Sequence, residues 1–182
     1  PVERDQRPPQ RGPGRIGRNA RRVVSAPLRG PGRRAPAGLA EVRGQLHRAD
    51  DGAPAAWALV TASHAGTVLG IGLADAEGRF ALFFAYPEWP RANLGLGSPP
   101  PGPTDPAWPI AYAAYSTLLP AGTVPLLAEV MDQLHHPRGL YASTQSPPAP
   151  LAPLALHFGR PLTLKTDNTP DGPSSFLIMA AA

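Results

Sequence analysis

One short stretch constrains the fold more than any other. From Arg79 to Tyr86, Phe80, Leu82, Phe84 and Tyr86 fall on one face of a two-residue repeat, and Ala81, Phe83 and Ala85 fall on the other. A strand that is apolar on both faces must be covered twice, by an opposing sheet and by a crossing segment or a partner. Asp75-Ala76-Glu77-Gly78 reads as the turn leading into it, with Gly78 taking a positive φ. The preceding run, Val68 to Leu73, is then expected as its hairpin partner. Upstream, Trp57 to Ala62 predicts a further strand, Asp50-Asp51-Gly52-Ala53-Pro54 a turn, and Val42, Gly44 and Leu46 the first strand. Strands recurring at intervals of about 10 residues point to a sandwich or barrel.

Past Tyr86 the pattern breaks. Pro87 to Pro109 holds eight prolines and reads as a long extended loop, since each proline removes a ladder donor and turns its predecessor away from helix. Ile110 to Leu119 resumes as a strand, with Tyr112 on the face of Ile110 and Ala114. A single helix follows. Thr123 and Pro125 are start signals, and Leu126, Leu127, Val130, Met131 and Leu134 recur at helical spacing until His135-His136-Pro137 ends the run. That apolar stripe is expected to pack on the sheet. After a Pro-rich connection from Ser143 to Pro153, three strands are predicted at Leu154–Phe158, Pro161–Thr166 and Ser175–Met179, the last preceded by a turn at Thr169-Pro170-Asp171-Gly172.

The charge is unevenly placed. Ten arginines against Glu3 and Asp5 lie between Pro1 and Leu39, leaving seven bases against eleven acids in the rest of the chain. With Pro and Gly interleaved and few large apolar residues, the first 39 residues are predicted to be an extended basic arm, and residues 40–182 a β domain with Pro-rich loops. Arg15, Arg18, Arg21, Arg22, Arg29, Arg33 and Arg34 are the candidate partner-binding residues, suited to an acidic protein surface through their planar forks. Phosphate is the competing partner, but no aromatic residue alternates with these arginines to stack a base. A solvated tether is the third possibility. No run nears the roughly 18 apolar residues of a membrane span, and the N-terminus is too polar for a secretory signal. The absence of cysteine removes thiolate chemistry and fits a cytoplasmic protein, or a part of a particle assembled in the cytoplasm.

The sequence offers no assembled catalytic, metal or cofactor site. His47, His64, His135, His136 and His157 are scattered, and none belongs to a His-Glu-x-x-His helix. His135-His136 is read as serving the helix end. Asp50-Asp51 and Asp75-x-Glu77 sit in predicted turns, where carboxylates bind the backbone before they bind calcium. The glycines of Gly66 to Gly72 precede no helix, and Gly95-Leu96-Gly97-Ser98 runs into a triple proline, so neither is a phosphate loop.

The runs Val42-Arg43-Gly44-Gln45-Leu46, Gly52 to Val60 and Gly72 to Phe80 resemble the carboxypeptidase regulatory-like domain, which implies an antiparallel β-sandwich of transthyretin or Ig-like type. Phe80 to Glu88, the Gln133-Leu134 pair and Phe158 to Thr166 are similar to regulatory-like-domain proteins of phage-tail-like contractile injection systems, found at the cap or terminator end. That resemblance implies a non-enzymatic structural or adaptor subunit whose partners are other protein subunits. Two different classes compete with it: a nucleic-acid-binding protein using the arm, and a carbohydrate-binding module using Trp57, Trp89 and Trp108.

Overall fold

The computed structural model describes Gly32 and residues 35–88, 105–142, 149–166 and 176–181. The chain is mainly β. Its strands are β1 (Leu39–Arg48), β2 (Leu59–His64), β3 (Thr67–Leu73), β4 (Arg79–Ala85), β5 (Ala107–Tyr115), β6 (Pro137–Tyr141), β7 (Leu154–His157), β8 (Leu162–Thr163) and β9 (Leu177–Ala181). One short helix, α1 (Leu127–Asp132), continues into a 3-10 turn, Gln133–His135. The strands run β3-β2-β5-β6-β9-β1-β4 in a single curled sheet, with β7 added to β5 and β8 to β1. The result is sandwich-like, joined along one side through the β6–β9 pair. The expected purely antiparallel order is corrected, because β1 pairs in parallel with both β8 and β9.

The curl follows from where apolar residues point. Phe80, Leu82 and Phe84 of β4, Ala40, Val42 and Leu46 of β1, Val60 and Ala62 of β2, and Trp108, Ile110 and Ala114 of β5 alternate inward into one core with Leu140, Leu156, Leu164, Leu177 and Met179. β4 is covered twice as its composition requires, since every residue from Phe80 to Phe84 is buried. Gly78 takes φ 73° in the turn before it.

The hairpin expected between the 68–73 run and β4 does not form. β3 pairs with β2 through the tight turn at Ala65-Gly66, whereas β4 pairs with β1. The Asp75–Gly78 turn is instead a corner that carries the chain from one end of the sheet to the other, so that β3 crosses β4. Glycine permits the close approach. A Cβ on Gly72 would stand 2.8 Å from the Ala81 carbonyl oxygen, and one on Gly70 would stand 3.2 Å from the Phe84 Cβ.

Other boundaries shift with tertiary contacts. β5 starts at Ala107, inside the predicted loop, because the buried Trp108 ring and pairing with β7 extend it past Pro109. Pro109 brings no amide hydrogen to the ladder, but its carbonyl accepts from His64 Nδ1 at 2.9 Å. The strands expected at 154–158 and 175–179 are found at slightly different bounds as β7 and β9, and the one expected at 161–166 is shortened to the two residues of β8. The 169–172 turn and the arm, including Arg15, Arg18, Arg21, Arg22, Arg29, Arg33 and Arg34, lie outside the described residues. No described helix is long and apolar enough to cross a membrane.

Candidate functional site

The helix begins at Leu127, two residues past the start signal at Pro125, and its apolar stripe does not pack as expected. Val124, Leu126, Leu127 and Met131 are 77, 71, 70 and 49% exposed, and in α1 itself only Val130 is buried. The cause is length. Six helical residues make fewer than two turns, so within them Val130 alone reaches the body, followed at i+3 by Gln133, while Leu127 and Met131, one turn apart, remain exposed.

What holds the helix in place is polar. Gln133 is fully buried; its Nε2 donates to the Trp57 carbonyl at 2.8 Å, and its Oε1 accepts from the Thr117 amide at 3.4 Å. Ser116, also buried, accepts the Leu118 amide on its hydroxyl, donates its own amide to the His136 carbonyl and accepts Arg138 Nε at 2.9 Å on its carbonyl. Trp57 Nε1 donates to the Pro120 carbonyl at 3.0 Å. Two non-glycine residues of this knot sit in the left-handed region, Trp57 at φ 59° and Leu118 at φ 61°. Each such conformation costs on the order of 1–3 kcal/mol and persists only where neighbours enforce it. At the entry to α1, Glu129 Oε2 accepts the Leu126 amide at 2.7 Å.

The segment from Ser116 to Pro137 contains no Lys or Arg; its charges are Glu129 and Asp132. His135 and His136 each place a ring nitrogen within 4 Å of the Asp132 carboxylate, and His135 Nδ1 also donates to the Asp132 carbonyl at 3.2 Å. This is the helix-end service that their position suggested. The turn carboxylates behave as expected too. Asp75 Oδ1 accepts the amides of Glu77 and Arg79, and Asp51 Oδ1 accepts the amide of Ala53. Asp51 is also ion-paired with Arg48, whose hydrogen bond, followed by that of the Ala53 amide, holds its carboxyl below the ordinary value. Among the described residues no three His, Asp or Glu side chains gather as a metal site.

Two adjoining clefts of about 300 Å³ each open beside the 116–121 loop, and both are lined by Arg48 and Leu118. The two described tryptophans, Trp57 and Trp108, do not form a sugar platform with each other. Trp108 is buried, its ring tilted against Tyr86 at 5.4 Å between centroids, with its Nε1 donating to the Glu88 carbonyl; Trp57 is committed to the knot, and Trp89 lies outside the described residues. Sequence reasoning missed Gln133 as an anchor. The available signal was one long amide at an inward position of an otherwise apolar helical repeat.

No family model and no curated protein matches the chain. Among solved structures, a 9R-lipoxygenase from Cyanothece PCC8801 aligns at 17% identity and a TM-score of 0.27 over 69% of this chain. The chain spans 14% of the length of that enzyme.

Proposed function

We propose that this protein is a non-enzymatic docking subunit, a structural or adaptor component that joins a larger protein assembly through the exposed apolar side of α1. The observation that carries this reading is the display of Val124, Leu126, Leu127 and Met131 on a segment fastened by Gln133. Exposed side chains on a mobile peptide would lose much of their binding energy to ordering, whereas a fastened helix has that cost already met. Grouped apolar residues at i and i+4 are the usual contact set of a short helix against a groove. The resemblance of Phe80–Glu88 and Phe158–Thr166 suggests a phage-tail-like contractile particle as the assembly, and that finer reading rests on the resemblance alone.

Sedimentation of the tagged protein from its source tests the proposal. The wild-type chain should travel in a fast-sedimenting particle, and the Leu126→Asp/Leu127→Asp variant should travel as a free monomer with an unchanged melting temperature. A variant that enters the particle at normal stoichiometry would remove α1 as the docking element.

A further inference from the structure

The inward positions of β1 are Ala40, Val42, Gly44 and Leu46, and the next in that series is Arg48, the last residue of the strand. On β6 the inward residue is Leu140, and two residues before it, on the same face, stands Arg138. Two apolar rows therefore end in guanidinium groups at the same open end of the curled sheet, where both arginines line one of the clefts described above. Their circumstances differ. Arg48 is neutralised by its ion pair with Asp51, and Asp50 stands 3.9 Å from its Nε. Arg138 is half-buried, spends Nε on the Ser116 carbonyl, and has no carboxylate within ion-pair distance among the described residues.

We propose that this cleft is a binding site for a monocarboxylate that carries an apolar substituent, gripped by the two Nη groups of Arg138. The Nε bond to Ser116 fixes the plane of the guanidinium and leaves its outer nitrogens directed away from that bond. Such a fork matches the two oxygens of a carboxylate. Leu118, Met179 and Ala181 provide an apolar wall beside it. Asp50 lines the same cleft, so a second negative charge on the ligand is repelled, which disfavours dicarboxylates and phosphate dianions. Mouths of curled sheets and barrels are common places for such sites. The same chemistry comes from a small acid or from the C-terminal residue of a peptide. The site is independent of docking at α1.

The test uses the full chain and three probes: N-acetyl-leucine, N-acetyl-leucinamide and a tetrapeptide ending in free leucine. Binding is followed by isothermal titration calorimetry for every variant and, where Arg138 is present, also by its Nε–H resonance. Saturable shifts with N-acetyl-leucine and none with the amide are expected. Arg138→Gln should weaken binding by about tenfold or more, with Arg138→Lys intermediate because it keeps charge and loses the fork. Leu118→Ala should weaken the apolar acid while leaving acetate unchanged, which keeps the proposal testable if Arg138→Gln fails to fold. Leu127→Asp should bind normally. Tighter binding of the tetrapeptide than of N-acetyl-leucine assigns the site to peptide ends, and the reverse order assigns it to a small acid. Equal response to acid and amide would overturn the proposal.

Discussion

Tyr112 shares the inward face of β5 with Ile110 and Ala114, yet its hydroxyl is buried without a hydrogen-bond partner among the described residues. Desolvation alone pushes its ionisation well above that of an ordinary tyrosine. A phenol whose folded pKa is raised binds its proton more tightly in the native state than in the unfolded chain. Stability is therefore lost as pH rises past the unfolded value of about 10, and none of this loss occurs at neutral pH. Tyr112→Phe should flatten the alkaline arm of the stability profile and, by removing an unpaired polar group, be neutral or stabilising by about 1 kcal/mol in urea denaturation. Gln133 is the opposite case. Gln133→Ala would strand the Trp57 carbonyl and the Thr117 amide and release the 3-10 turn, so a loss of about 2–4 kcal/mol is expected from the same measurement.

At the scale of elements, strands were legible where alternation and turn chemistry agreed, as from Arg79 to Ala85 and at the Asp50–Pro54 turn. Pairing was not. Val68–Leu73 and Arg79–Ala85 flank a good turn, and nothing local distinguishes a hairpin from a corner. Gly70 and Gly72 held the clue, since a strand that gives up two side chains does so where another backbone or ring comes close. Gly72→Ala should therefore cost about 1–3 kcal/mol through contact with the Ala81 carbonyl, and more than Gly70→Ala, where a side chain can shift instead. The helix shows the same limit. Its existence and ends were readable from Thr123, Pro125 and His135-His136-Pro137, whereas the direction of its stripe depends on a body surface that periodicity does not describe. Leu127→Asp, on a residue 70% exposed, should alter the unfolding midpoint by no more than about 0.5 kcal/mol.

For the molecule as a whole, the described body accounts for its own order. Its core closes with β1 beginning at Leu39, and upstream of that strand the described contacts are the Ala35 amide on Glu41 Oε2 and the Leu39 amide on the Pro36 carbonyl. Deleting residues 1–31 is expected to leave the melting temperature within about 3 °C of the full chain by circular dichroism, while removing ten basic side chains less Arg33 and Arg34. The candidate site was only partly legible at this scale. The arm advertises itself through composition, but Arg138 gains its meaning from lying across from Ala181 on a strand formed some forty residues later.

The parallel pair between β1 and β9 sets a timetable for biosynthesis. β9 fills the space between β6 and β1, so the two halves of the sheet are joined by residues 177–181, more than a hundred positions after Leu46. An emerging chain can form the β2–β3 hairpin early, but it must hold the 46–48 end of β1 and the facing edge of β6 open until β9 arrives. High contact order of this kind slows folding and prolongs the exposure of unpaired edges to neighbouring nascent chains. Ribosomes crowded on one message would thus be the setting in which this fold is most vulnerable to aggregation.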